Sequence, residues 1–405
     1  MFAFGSRETA NVVEIARLET VVGEPPRGSQ LREADAVLHA VEALLLRRRD
    51  ECSVDEECRR RVAVKGVEDE NCGQVETILP APRWGTVRTL TALPSAESRC
   101  TFFTVADSRY WTGAVALVNS LRLVGHAEAI VVLDAGFTSK QRAILERTAE
   151  IVTAPALRAP FLARWVAPLA RGEGVHVLLD ADLVAVQPLT SLIEQAEQGR
   201  IVAFVDRLAT RSFSEWEALV GAPQAYTHQY VNSGFLALPS DLAQGVLGRL
   251  RDAQQRVALT SAALLGRGSI SDPFHFADQD VVNAVLRAFV PRHRLLALEH
   301  RLAPTEPWDK VVVEDVQRLR CVNPDGSRPY LVHVVGPKPW LANVAPTAYE
   351  RLLPRLLMGE DVAIRLDRSA LPFRLRWWRL VGRDATLRRL ARRLGLRRLV
   401  ARRGG

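Results

Sequence analysis

Lysine is scarce in this chain. Lys65, Lys140, Lys310 and Lys338 are the only four among 54 basic residues, and arginine makes up the rest. The five cysteines, Cys52, Cys58, Cys72, Cys100 and Cys321, are odd in number and contain no C-x2-C pair, which excludes a disulfide scaffold and leaves free thiols in a reducing compartment as the expectation. Cys52, Cys58 and Cys72 share an acidic stretch, but no ligand spacing there argues for a metal. No apolar run approaches the roughly 18 to 20 residues of a membrane span. The opening MFAFGSRETANVVE also lacks the basic and apolar regions of a secretory leader. The expectation is a cytoplasmic protein.

What is present is an ordinary globular composition, 48% apolar and 25% charged in 405 residues, enough for two or three domains with a substantial core. The net charge of +8 is unevenly placed. Residues 365 to 403 hold fourteen arginines against Asp367 and Asp384, so the rest of the chain is net acidic. In that tail a Trp377-Trp378 pair precedes Leu387, Leu390 and Leu394, which recur at helical spacing between paired arginines. A basic amphipathic helix of this kind suits an anionic membrane surface, and the expectation is peripheral association with the inner face of the membrane. A solvated tail folded back on the protein and a nucleic-acid contact are the competing readings. No zinc-finger spacing or RNP aromatic pattern accompanies the charge, which argues against nucleic acid.

Three regions are expected: a helical N-terminal region of unassigned role over 1–94, an α/β domain over 95–345, and a helical, Arg-rich tail over 346–405. Proline breaks at Pro25-Pro26 and at Pro80 and Pro82 punctuate the first. In the second, the apolar runs CTFFTVA, AIVVLD, VHVLLD, RIVAFV, YVNSGFLAL, RLLAL and YLVHVV alternate with helical patterns. They predict a mostly parallel twisted sheet flanked by helices. In such sheets the residues just after each strand face the ligand.

Asp180-Ala181-Asp182 follows VHVLL directly. Two carboxylates at i and i+2 at a strand mouth suit a divalent cation, which relieves their mutual repulsion. A D-x-D alone is equally compatible with a solvated or helix-capping loop. It also resembles the nucleophile motif of haloacid-dehalogenase-like phosphatases, but no convincing lysine or paired-aspartate partner follows.

Further stretches occur in order: Phe103 to Tyr110 (FTVADSRY), AVALVNSLRL, AIVVLDAGFT, then Asp180-Ala181-Asp182, Tyr230 to Gly234 (YVNSG), Asp278 to Asn283 (DQDVVN), and His333 to Trp340 (HVVGPKPW). This series resembles the family 8 glycosyltransferases, retaining enzymes of GT-A fold that include glycogenin and bacterial lipopolysaccharide galactosyltransferases. The resemblance spans about residues 100 to 345. It implies that Asp180, Asp182 and His333 bind Mn2+ or Mg2+, manganese suiting the imidazole better. It also implies that Asp107 and Tyr110 hold the nucleotide base, usually uracil, and that Asn232 and Gly234 face the donor sugar. By the same resemblance Asp278 and Gln279 flank the reacting carbon, Asp280 and Asn283 orient the start of their helix, and Arg164 lies near the donor phosphates. Gly336 and Lys338 would meet the diphosphate. The family usually has two residues between that glycine and lysine, whereas this chain has only Pro337.

Each position keeps a simpler alternative: Asp107 as a helix cap, His333 as a structural histidine, Asn232-Ser233-Gly234 as a turn. The resulting expectation is a metal-dependent retaining transferase moving a sugar from a nucleotide-sugar donor to a glycan, lipid-linked or envelope acceptor. A GT-A-fold scaffold without chemistry and a D-x-D phosphatase are the rivals.

Overall fold

β1, Cys100–Ala106, begins the sheet, and its apolar residues are buried on both faces. The structure, a computed structural model, describes residues 99–153, 163–257, 269–342, 347–372 and 375. The N-terminal region expected over 1–94 and nearly all of the amphipathic tail lie outside the described residues. α1 (Trp111–Leu123) returns the chain to β2 (Ala129–Asp134). α2 (Ser139–Leu145) then starts with a capping box, in which Thr138 and Gln141 each satisfy the other's backbone N–H. β3 (Glu150–Thr153), the short helix α3 (Val166–Leu169), β4 (Val175–Leu179) and β5 (Leu183–Ala185) follow. Then come α4 (Thr190–Glu197), β6 (Ile201–Val205), α5 (Glu215–Val220), β7 (Val231–Leu238), α6 (Ser240–Arg256), α7 (Asp278–Phe289) and β8 (Leu295–Leu298).

The larger sheet has the order β3-β2-β1-β4-β7-β6-β8, and every neighbouring pair is parallel except those involving β7, which runs against both β4 and β6. The architecture is therefore a mixed, mostly parallel α/β sheet. Successive residues in a strand point to opposite faces. Phe102, Val177 and Leu179 accordingly join one apolar cluster, and Phe103 and Leu178 join the other. Helices cover both.

The remaining strands are short: β9 (Thr305–Glu306), β10 (Val312–Asp315), β11 (Arg320–Val322) and β12 (Leu331–Val334). β12 lies between β5 and β9 in a separate three-stranded sheet, so YLVHVV does not extend the larger one. The last described helix, α8 (Ala348–Met358), and Ile364, Leu366, Leu371 and Leu375 after it pack into the same core as Phe102 and α1. Asn119 of α1 fixes that contact, donating to Leu356 O and Ile364 O and accepting from Ile364 N. Among the described residues no helix is long and apolar enough to cross a membrane.

Candidate active site

Because β7 is reversed, its beginning lies at the edge where β4 and β6 end. Asp180, directly after β4, donates its backbone N–H to Gly234 O at 2.9 Å. Asp182, two residues on, accepts at its carbonyl from Val334 N at 3.2 Å. Each end of the Asp180-Ala181-Asp182 turn is thereby stitched to a different sheet. In β12, His333 is paired with Leu183 of β5, which brings the imidazole to the turn.

His333 Nε2 lies 3.1 Å from Asp182 Oδ1 and 3.9 Å from Asp180 Oδ2. One ligand atom from each of these residues falls within 4.8 Å of the others. Around an octahedral ion with bonds of about 2.1 Å, adjacent ligand atoms stand about 3 Å apart, and carboxylate oxygens with one imidazole nitrogen form a suitable donor set. The residues fit a divalent cation.

Each carboxylate carries its own cation on the outer side. Arg164 Nη1 contacts Asp180 Oδ1 at 2.9 Å and Asp278 Oδ2 at 3.0 Å, while Nη2 donates to Ser233 O at 2.7 Å. Lys338 Nζ contacts Asp182 Oδ2 at 2.6 Å and donates to Val334 O at 2.7 Å. Burial works to raise the pKa of Asp182, but the Lys338 ammonium and the His333 ring outweigh it and hold the carboxyl well below its usual range. Burial wins at Asp278, whose carboxyl is pushed up to about 6 against the pull of Arg164.

The amides lie beyond Arg164. Gln279, in the first turn of α7, accepts from Ser233 N at 3.2 Å and donates to Asp206 Oδ2 at 3.3 Å. Asn232 donates to the same oxygen at 3.1 Å and accepts from Gly234 N at 2.9 Å. Asp280 is fully buried and takes a two-pronged contact from Arg211 and a hydrogen bond from the Tyr230 hydroxyl. Asn283 bonds both backbone groups of Val231, holding α7 against β7. Asp280 and Asn283 thus fix the start of the helix on which Asp278 and Gln279 stand.

On the other side, Asp107 Oδ1 accepts from Arg109 N and Tyr110 N, both at 2.9 Å, and closes the turn that leads into α1. The Tyr110 ring lies 5.7 Å from Lys338 Nζ and meets Trp340 edge-on at 6.2 Å. Gly336 has φ 70°, the left-handed conformation that glycine adopts without strain, and so turns the chain after β12.

The structure thus gathers Asp180, Asp182, His333, Lys338, Arg164, Asp278, Gln279, Asn232 and Gly234 into one connected cluster, with Tyr110 at its border. Asp107 Oδ1 is used in the turn before α1, and Lys338 rests on a carboxylate. Asp206 escaped the sequence reading although it directly follows RIVAFV, the position that the strand-end rule marks.

No protein-family model matches the chain, and no curated protein matches it significantly. Among solved structures, the galactosyltransferase LgtC in complex with donor and acceptor sugar analogues is 15% identical, with 68% of this chain and 99% of that chain covered and a TM-score of 0.44. The apo WbbM bifunctional glycosyltransferase is 13% identical, with 71% and 52% covered and a TM-score of 0.46. The glycosyltransferase GlyE of Streptococcus pneumoniae TIGR4 is 16% identical, with 64% and 60% covered and a TM-score of 0.40.

Proposed function

We propose that this chain is a divalent-metal-dependent retaining glycosyltransferase of GT-A fold that moves a sugar from a nucleoside diphosphate donor, a UDP-sugar, to a glycan or lipid-linked acceptor. The observation that carries the reading is the Asp180, Asp182 and His333 cluster at the carboxyl edge of the sheet, flanked by Arg164 and Lys338. These three residues would hold Mn2+ in preference to Mg2+ because one ligand is an imidazole. When bound, such an ion supplies Lewis-acid stabilisation of a departing diphosphate.

The chain's own groups do the rest. Arg164 is held by Asp180, Asp278 and Ser233 O, which fixes a positive charge beside the ligand set. Gly336 and Lys338 form the phosphate side of the site. Asn232 and Gln279, both oriented by Asp206, present amides for hydroxyl groups of the donor sugar, and Gly234 keeps the approach clear. Gln279 is a poor nucleophile, so the reading assigns it to stabilise positive charge developing at the transferred carbon, with Asp278 beside it. Tyr110 and Asp107 form the base end. The Arg-rich tail would keep the enzyme at an anionic membrane surface, near its acceptor.

Calorimetric binding of UDP with and without Mn2+ tests the site. Manganese-dependent binding that Asp180→Asn/Asp182→Asn abolishes is the expected result, and the anomeric configuration of the product tests retention. A chain that binds no nucleotide would instead be a scaffold. For the tail, flotation with anionic vesicles should be lost from a chain ending at Leu375, the last described core residue.

A further inference from the structure

Lys140 and Lys310 are exposed, whereas Lys338 is buried at 6% exposure. Its ammonium pairs with Asp182 Oδ2, donates to Val334 O and lies over the Tyr110 ring at 5.7 Å. The backbone that carries it is pinned. Trp340, two residues on, donates its indole N–H to Arg109 O at 2.7 Å, and Lys338 O accepts from Leu341 N and Ala342 N. Only three residues separate Val334 from Lys338, so the side chain folds back to the end of β12, the strand before it, and reaches Asp182.

The charges of this arrangement have a consequence. A divalent ion at Asp180, Asp182 and His333 depends on two negative charges, yet Arg164 stands 2.9 Å from one carboxylate and Lys338 stands 2.6 Å from the other. Both carboxylates of the ligand set are thus already paired, Asp180 with an Arg164 that Asp278 shares and Asp182 with Lys338, so an ion arriving alone must compete for them. The two cations are not alike. Arg164 is a planar fork committed to Asp180, Asp278 and Ser233 O at once. Lys338 is a point charge on a flexible stem and can turn toward a new anion without moving its backbone.

Resting on the nucleotide-sugar reading above, we propose that Lys338 couples the two ligands of the site: it competes with the divalent ion for Asp182 and gives that carboxylate up when a diphosphate offers its ammonium another anion. The metal and the nucleoside diphosphate then bind cooperatively, and by linkage each tightens the other by the same factor.

The test is a titration of Mn2+ into the full chain, following free ion by its paramagnetic resonance signal, with and without UDP and after subtraction of Mn2+–UDP formation in buffer. Without nucleotide, Lys338→Met should bind Mn2+ at least about ten-fold more tightly than wild type, and UDP should tighten Mn2+ binding less in the variant than in wild type. Lys338→Arg keeps the charge and should stay weak, separating charge from lost packing. Equal or weaker Mn2+ binding by both Lys338→Met and Lys338→Gln, with native near-UV dichroism, would overturn the inference even where UDP binding remains manganese-dependent. If Lys338→Met gains Mn2+ affinity but UDP binds under no condition, the nucleotide-sugar reading falls and takes the coupling with it.

Discussion

A side chain at Gly234 would collide with the imidazole of His333: a Cβ built there lies 2.9 Å from the ring Cε1 and also 2.9 Å from Asn232 Oδ1. The two residues belong to different sheets, and their close approach lets the β7 edge and the β12 histidine share one site. The glycine is required by space, since no left-handed backbone angle is recorded for it.

Gly234→Ala should therefore displace His333 before it disturbs the fold. The expected result is Mn2+ binding weakened by about ten-fold or more, with a stability loss of about 1–3 kcal/mol, the usual range for a methyl forced into a packed position. Paramagnetic resonance titration and denaturant unfolding on the same preparation would separate the two effects.

Gly113 presents a harder case. A Cβ on this α1 residue would run into the carbonyl oxygen of Ala181 and the indole ring of Trp340 at 2.7 Å. The first neighbour is backbone and cannot rotate away. Gly113→Ala is expected to destabilise the protein more than Gly234→Ala does, with a lower midpoint in chemical denaturation as the measurement.

Asp278 should leave a mark on the pH dependence of stability. Its carboxyl is pushed up to about 6 by burial, against 3.8 for an ordinary aspartate. Between these values the folded chain holds a proton that the unfolded chain has released. The stability from this group is therefore present at low pH and is lost as pH rises from about 4 to about 6. Asp278→Asn removes that slope. Urea midpoints from pH 4.5 to 7.5 should show the variant gaining on wild type as pH increases.

The pair of Arg211 and Asp280 is buried on both sides, with the guanidinium also 4.5 Å over the Phe213 ring and 5.0 Å over the Phe276 ring. Removing one partner leaves an uncompensated charge, which typically costs about 3–5 kcal/mol. Arg211→Met is expected to fall in that range by guanidinium unfolding. It should also weaken UDP binding, because Asp280 is the residue that accepts from Phe276 N and fixes the start of α7.

Seven apolar runs in the sequence correspond to β1, β2, β4, β6, β7, β8 and β12. Apolar runs are informative because a strand buried on both faces needs continuous hydrophobicity. The same runs carry no direction, so nothing in YVNSGFLAL marked β7 as antiparallel or YLVHVV as part of a second sheet. The strands EIVT, LVA and RCV are too short for their periodicity to stand out.

The candidate site divides in a similar way. Asp180 and Asp182 were legible because two carboxylates at a strand mouth point to a cation, whereas His333 joined them only through the resemblance of the motif series, and the structure brings the three together. Partner choice was not legible. That Lys338 would rest on Asp182, or that Asp107 would use an oxygen to close the turn before α1, depends on distances set by folding. Asp206 illustrates the remaining gap, since its importance comes from two amides supplied by β7 and α7.

The placement of β12 between β5 and β9 also bears on how the protein is made. A chain emerging from the ribosome carries Asp180 and Asp182 long before His333, and the smaller sheet lacks its middle strand until synthesis has passed residue 334. Ion binding through all three residues is therefore a late event in the life of the nascent chain. It can serve as a marker that this part of the fold has closed.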